Sequence, residues 1–300
     1  MPDILSKGAK FDPQLVTELF DKVKGFSSLS TLCARSPIAF NGQKEFIFSM
    51  DDEVDLVAEG GKKTRGSVAL DPITVLPLKV EYGARMTDEF LYASEEAQIE
   101  MLKNFSEGFS KKVARGLDIM AFHGLNPRTK TAAAIIGTNH FDSGVAVIAQ
   151  DSKTPKTPDA LIEEAIAAVQ GHEYDVSGLT MAPAFRSDLA KMVDASGRKI
   201  YPELAWGSTP AQMNGISTTT NTTVSFNSSK DLAIVGDFAT AFKWGYSKEI
   251  PLEVIQYGDP DNSGRDLKGY NEVYIRAEAF IGWGILDKNA FAVIQSAATE

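Results

Sequence analysis

Along this chain the apolar positions switch between a spacing of three to four residues and strict alternation, and that switching predicts the elements. Residues 13 to 24, "PQLVTELFDKVK", set Leu15, Val16, Leu19, Phe20 and Val23 at helical spacing behind Asp12 and Pro13, a cap and first-turn pair. A Ser-rich joint, "GFSSLS", separates this helix from "KEFIFSM", where Phe46, Phe48 and Met50 alternate on one strand face. In "ITVLPLKVEY" Leu76, Leu78, Val80 and Tyr82 share one face of a second strand. Pro77 sits in its middle and cannot donate to a ladder, so this strand is expected at an edge. The stretch between the two runs, "VDLVAEGGKKTRGSVAL", closes them into a long hairpin. Such a ribbon is marginal alone in water, so its apolar stripe requires a cover, from the body of the chain or from another subunit.

From Ser94, apolar residues recur at Met101, Leu102, Phe105, Phe109, Val113, Leu117 and Met120, predicting one long helix that ends near Gly124. "TPDALIEEAIAAVQG" predicts a second, with Thr157 as cap, Pro158 in the first turn and Gly171 as terminator. "LTMAP" reads as a buried strand leading into a shorter helix, "AFRSDLAKMVDA", and the polar tract 217–229 as turn and edge-strand material. Near the end, "VYIRAEAFIGWGI" alternates Val273, Ile275, Ala277, Ala279, Ile281, Trp283 and Ile285. A strand of that length matches the long helix, and the two predict a two-layer α+β slab. The chain has no internal repeat and no composition break that would cut it into consecutive domains.

Composition then narrows the function. The formal charge of −10 argues against gripping nucleic acid, which takes clustered Lys and Arg. Cys33 is the single cysteine, so an intrachain disulfide and a cysteine zinc site are both excluded, as suits synthesis in a reducing cytoplasm. No apolar run is long enough to span a bilayer.

Candidate chemistry is thin. "EGGKKT" fails as a phosphate loop because Lys63 stands where the hydroxyl belongs and the first glycine is missing. It reads instead as a hairpin tip, with Gly60, Gly61 and Gly66 for bending and Lys62, Lys63 and Arg65 for solvation or an acidic neighbour. "DPDNSGRDLKGYNE" sets Asp259, Asp261, Ser263 and Gly264 at calcium-loop spacing, but Tyr270 holds the twelfth position and Glu272 comes two residues late, so a surface turn is expected. His123, His140 and His172 form no paired motif and are expected at helix ends or in loops, and Glu163 and Glu164 on a polar helix face. No catalytic residue, cofactor or metal ligand is assigned, and no enzyme is expected. The unusual features lie in arms and long slabs, which points to assembly.

The order of elements, together with "VAEGGKKTRGSVALDPITVLPLKVEYGARMTDEFL", "VDASGRKIYPE", "AIVGDFATAF" and "YNEVYIRAEAFIGWGILDKNAFAVI", resembles the major capsid protein of tailed double-stranded DNA bacteriophages, the Hong Kong 97 type capsid fold, from about residue 10 onward. The resemblance implies an N-arm at 1–43, an extended loop at 44–82, a peripheral domain with a long spine helix at 83–135 and 240–280, and an axial domain at 136–239 and 281–300. It implies a virion protein, made in the bacterial host cytoplasm, that closes an icosahedral shell around the genome through rings of five and six. Phe46, Phe48, Gly60, Gly61, Lys62, Lys63, Arg65, Leu76 and Leu78 would then meet a neighbouring subunit. Implied partners are further copies of the chain, portal and scaffold proteins, a decoration protein, and packaged DNA in weak nonspecific contact, with no membrane.

Two departures from the family follow. Many relatives begin with a scaffolding segment that a protease removes, whereas this sequence reaches the N-arm at once, implying a mature form or a separate scaffold. Some relatives weld neighbours through a Lys to Asn isopeptide bond; Lys63 is placed like the loop lysine and Asn271 near the acceptor region. The competing readings are an encapsulin-type compartment shell, a soluble enzyme with an unrecognised site, and a tail or other virion structural protein.

Overall fold

The computed structural model describes residues 26–50, 54–63, 65, 68–248 and 252–297, and the helix expected over 13–24 lies outside them. Helix α1 is Ser28–Leu32 and the spine helix α2 is Glu95–His123; α3 (Pro158–Gln170) and α4 (Pro183–Lys191) follow. The strands are β1 (Gln43–Met50), β2 (Val68–Val75), β3 (Leu78–Thr87), β4 (Ala146–Ala149), β5 (Gly178–Met181), β6 (Gln212–Met213), β7 (Ile216–Thr220), β8 (Asp231–Gly236), β9 (Phe242–Lys248), β10 (Leu252–Ile255), β11 (Glu272–Ile285) and β12 (Phe291–Gln295).

The spine forms as its punctuation dictates. The Ser94 hydroxyl accepts from the Ala97 amide at 3.4 Å, and Gly124 stops the helix in the left-handed region at φ 65°. Its 29 residues span roughly 43 Å at 1.5 Å each. Phe109, Val113, Leu117 and Met120 are buried against Ala277, Ala279, Ile281 and Trp283 of β11, the slab that matched lengths predict. Met101, expected on the same stripe, is 41% exposed; at that end Leu102 and Phe105 turn toward Phe90, Val273 and Ile275 instead.

Strand β11 organises one sheet. One edge pairs antiparallel with β3 from Glu272↔Thr87 to Ile281↔Leu78; the other takes β10 and then β9. A second sheet has the order β4-β12-β8-β5-β7-β6. Its alternation is double-sided: Ala233 and Val235 of β8 face α3 and α4, while Ile234 faces the spine side. On that side Phe122, Phe141, Phe238, Phe242 and Phe291 meet, with ring centroids from 4.9 Å for Phe141 and Phe291 to 6.4 Å for Phe238 and Phe242. Edge-on pairs of this kind each contribute about 0.5–1.5 kcal/mol beyond burial.

Two expectations are corrected. "ITVLPLKVEY" is two strands: up to Val75 the chain pairs with β1, and from Leu78 it pairs with β11. Pro77, lacking an N–H, marks the change of partner, and β3 is indeed an edge strand. The Ser-rich joint is helix α1, whose cap Ser27 accepts from the Ser30 amide and whose serines Ser28 and Ser30 are buried. Gly171 ends α3 as expected, at φ −61°, and a left-handed residue, Glu173, follows at φ 65°.

After α1 the chain runs extended along β9, with the Ser36 amide donating to Trp244 O at 2.9 Å and the Trp244 indole N–H to Cys33 O at 2.9 Å. The approach needs Gly245, where an added Cβ would lie 1.6 Å from Ser36 O. Gly245→Ala should therefore lower stability by about 1–3 kcal/mol in denaturant unfolding. Gly108→Ala, in a helical site with nothing within 4 Å of the new methyl, should raise it by about 0.5–1 kcal/mol.

Candidate assembly surfaces

The hairpin β1–β2 stands as its own two-stranded sheet, with Phe46 opposite Pro72 and Phe48 opposite Leu70. Its root is held: Val75 packs on β11 where a Cβ at Gly284 would lie 2.7 Å from the valine Cγ2, and Lys243 Nζ reaches Glu45 Oε2 at 2.9 Å. Beyond the ladder the chain carries Val54 and Leu56 at 94% and 99% exposure. The tip turns at Glu59 and Gly60, with Gly60 at φ 78° and the Gly61 amide donating to Ala58 O at 2.8 Å. Lys62, Lys63 and Arg65 are exposed, and Gly66 lies outside the described residues. Leu76 is exposed, whereas Leu78 packs on the main core of its own chain.

A second exposed tip, over 192–209, was not visible in the sequence. Trp206 lies bare to solvent in the left-handed region at φ 59°, followed by Gly207 at φ 85°. A bulky residue there is strained and persists only where its surroundings enforce it. Arg186 does so, donating from Nη1 to Leu204 O at 2.8 Å and Ser208 O at 3.2 Å, while Leu204 is fully buried beneath. Val193 and Ile200 are exposed on the same loop. A Trp-Gly pair inside a polar loop is the only signal that could have found it.

Two buried polar clusters hold the body that carries these tips. Asp118, on the inward face of the spine and without solvent exposure, accepts from Ser27 Oγ at 2.5 Å, the amides of Ser28 and Leu29 at 2.9 and 3.3 Å, Asn221 Nδ2 at 3.1 Å and Thr223 Oγ1 at 3.1 Å. It caps α1 and ties the 221–223 loop to the spine. Burial pushes it up to about 6, with the hydrogen bonds from Ser27, Ser28, Leu29 and Thr223 pulling the other way.

His123, at the end of the spine, sits between Asp142 Oδ2 at 2.8 Å and Asp231 Oδ2 at 3.3 Å, and its Nε2–H donates to Thr223 O at 2.9 Å. Burial lowers its affinity for a proton, but the two carboxylates win and raise it to about 10, so the ring is an imidazolium at neutral pH. Burial and the neighbouring Asp231 raise Asp142; Asp231, despite burial, is held low by His123, Ser229 and Gln295. The three ligand atoms lie close enough for a metal ion. Each is already paired, Asp231 also accepting from Ser229 Oγ at 2.6 Å and Gln295 Nε2 at 2.8 Å, so an ion pair explains the cluster.

Asn271 is exposed and left-handed at φ 55°, its carbonyl accepting from the Asp88 amide at 2.8 Å. The buried carboxylates among the described residues, Asp118, Asp231 and Asp237, are all engaged by internal donors.

The chain is thus a body of two sheets on a spine helix, with an outlying two-stranded hairpin. The chain belongs to the phage capsid family, whose profile matches residues 9–296. It is similar to a solved chain from Mycobacterium phage Ogopogo at 31% identity, over 90% of this chain and 92% of that one, with a TM-score of 0.77. A chain from Gordonia phage Cozz matches at 23% identity, 91% and 87% coverage and TM-score 0.74. One from the capsid of an empty GTA particle, computed with C5 symmetry, shares the fold at 14% identity, 91% and 90% coverage and TM-score 0.64. No curated protein matches. The chain is a structural major capsid protein, a component of the virion shell with the Hong Kong 97 type fold. No helix among the described residues is long and apolar enough to cross a membrane.

Removing the Asp118 carboxylate strands its donors, so Asp118→Ala should cost about 3 kcal/mol or more in unfolding experiments. The pH signs follow from the two raised values. Asp118 is lifted from 3.8 to about 6, so its stabilising contribution is full below 3.8 and lost as pH rises through about 6. His123 is lifted from 6.5 to about 10, so its contribution is full below 6.5 and lost as pH approaches 10. The stability gap between wild type and His123→Gln should shrink from pH 7 to 10, and that to Asp118→Asn from pH 4 to 6. Gaps that stay constant would show that neither group titrates as its surroundings dictate.

Proposed function

We propose that this capsid protein closes an icosahedral shell around double-stranded DNA through rings of five and six, with the β1–β2 hairpin lying on a neighbouring copy. The observation that carries the reading is that hairpin: a two-stranded sheet beyond whose ladder Val54 and Leu56 stand in solvent. An isolated ribbon gains little stability alone, so burying its apolar residues on another copy supplies what the monomer lacks. Many such modest contacts per subunit give a stable shell by multivalency. The charge of −10 keeps the shell from clinging to its DNA. Portal, scaffold and decoration proteins are the further partners this reading implies, assembly in the host cytoplasm precedes the virion, and no catalysis is required.

The division into N-arm 1–43, extended loop 44–82, peripheral domain 83–135 and 240–280, and axial domain 136–239 and 281–300 belongs to the same proposal. In its support, the six-stranded sheet draws its strands from 146–236 and 291–295. β11 crosses from one proposed domain to the other, which would couple them rigidly. The reading favours phage capsid over an encapsulin-type shell or an enzyme because the matching chains, each over about nine-tenths of this one, are phage and GTA-particle chains.

Contacts of Phe46, Phe48, Gly60, Gly61, Lys62, Lys63, Arg65, Leu76 and Leu78 with a neighbour are part of the proposal, and Trp206 joins them. Leu56→Asp and Trp206→Ala touch no core, so each should change monomer stability by less than about 0.5 kcal/mol. Negative-stain microscopy should nonetheless show closed shells lost or sharply reduced for both. Normal shells from both variants would remove these tips from the interface. Covalent welding of Lys63 to Asn271 is not needed for this mechanism: particles boiled in detergent should run as one band at 32.5 kDa. A ladder that Lys63→Ala abolishes would establish the bond instead.

A further inference from the structure

The sequence predicts a surface turn from Asp259 to Arg265, since Tyr270 holds the twelfth position of the loop. In the structure it folds around a positive charge. Four oxygens converge on one nitrogen, Arg85 Nη2: Asp259 Oδ1 at 2.7 Å, Asp261 Oδ1 at 2.6 Å, Ser263 Oγ at 2.6 Å and the Arg265 carbonyl at 2.9 Å. They come from positions one, three, five and seven of the loop, the last through the main chain, with Gly264 turning sharply at position six at φ 80°. That is the order in which a calcium loop offers its first ligands. Nη2 carries two hydrogens, so it can satisfy only part of this set by directed hydrogen bonds. Four acceptors around two N–H groups describe coordination of a charge, and two of the oxygens are neutral, so acidic crowding alone does not account for it.

The remaining guanidinium nitrogens complete the picture. Nη1 donates to Glu272 Oε2 at 2.8 Å and Nε to Asp261 Oδ2 at 2.9 Å, so the late glutamate reaches the same cation that the loop surrounds. Asp259 is held independently, accepting from the amides of Ser263 at 3.0 Å and Gly264 at 2.7 Å, so the loop is shaped by its own backbone as well. Arg265, at 2.8 Å from Glu272 Oε1, is the other cation paired with these carboxylates among the described residues. Without Arg85 the three carboxylates would keep Arg265 as their paired cation, leaving Asp259 and Asp261 without one.

We propose that residues 259–265 form a cation cage whose resident cation is the Arg85 guanidinium, and that removing this side chain turns the loop into a calcium site. The oxygens need to move inward by only about 0.3 Å to reach calcium distances, whereas magnesium demands shorter bonds and stricter geometry. With Arg85 as the resident cation the loop is tied to β3 through the arginine itself and to β11 through Glu272, so a shell built from it would keep this segment ordered whatever the divalent-ion concentration.

The test is thermal unfolding of the full chain, and of Arg85→Ala and Arg85→Gln, in chelator, in millimolar magnesium and in millimolar calcium, with tyrosine-sensitised terbium luminescence as a direct binding readout. Wild type should show the same midpoint in all three solutions and no terbium signal. Both variants should melt several degrees lower in chelator, recover most of the loss in calcium but not magnesium, and bind terbium; Asp261→Asn added to either should abolish that rescue. A variant that folds only when calcium is present also supports the cage. Three results overturn it: a calcium-dependent midpoint in wild type, which would make an ion the native occupant; variants that melt lower without calcium rescue; or variants that fold in none of the solutions.

Discussion

Everything in the body hangs on one carboxylate removed from water. Asp118 lies in the last third of the spine helix, fully buried, and a bare charge there would be intolerable. It is tolerated because five donors from two distant segments converge on it, two of them main-chain amides at the start of α1. The same bonds that solvate the charge fix α1 and the 221–223 loop against the spine. Order in the N-terminal segment from residue 26 and order in the second sheet's connection therefore depend on one group, and the extended run along β9 follows from where α1 is pinned.

The molecule meets the problem of buried or crowded charge in three ways. Asp118 is surrounded by neutral donors. Asp142 and Asp231 share an imidazolium at the end of the spine. Asp259, Asp261 and Glu272 share a guanidinium that also collects neutral oxygens. Each cluster joins segments far apart in sequence, and together they make the body rigid. Against that rigidity the hairpin tip and the Trp206 loop are left in solvent with apolar side chains on them, a cost to the monomer that the proposed burial on another copy would offset.

What the sequence alone determined is what local rules govern. Ser94 and Gly124 bounded the spine because caps act within a few residues, and the alternation from Val273 to Ile285 fixed β11 because sheet faces repeat every second position. The family resemblance was legible for the same reason, carried by the order of such elements, and the Gly-Lys hairpin tip was legible by its composition. Tertiary structure decided the rest. Whether "ITVLPLKVEY" stays with one partner or changes at Pro77 depends on β11, some two hundred residues later, and no local pattern encodes that partner. The serines before Cys33 read as a joint because nothing nearby says that Asp118 will cap them. Trp206 stands exposed because Arg186 holds its turn from another element, and Arg85 became the centre of a seven-residue loop only because strand pairing brought it there. Periodicity and caps are short-range and survive in the sequence; the pairing of charges across the fold is long-range, and only the folded chain places the partners together.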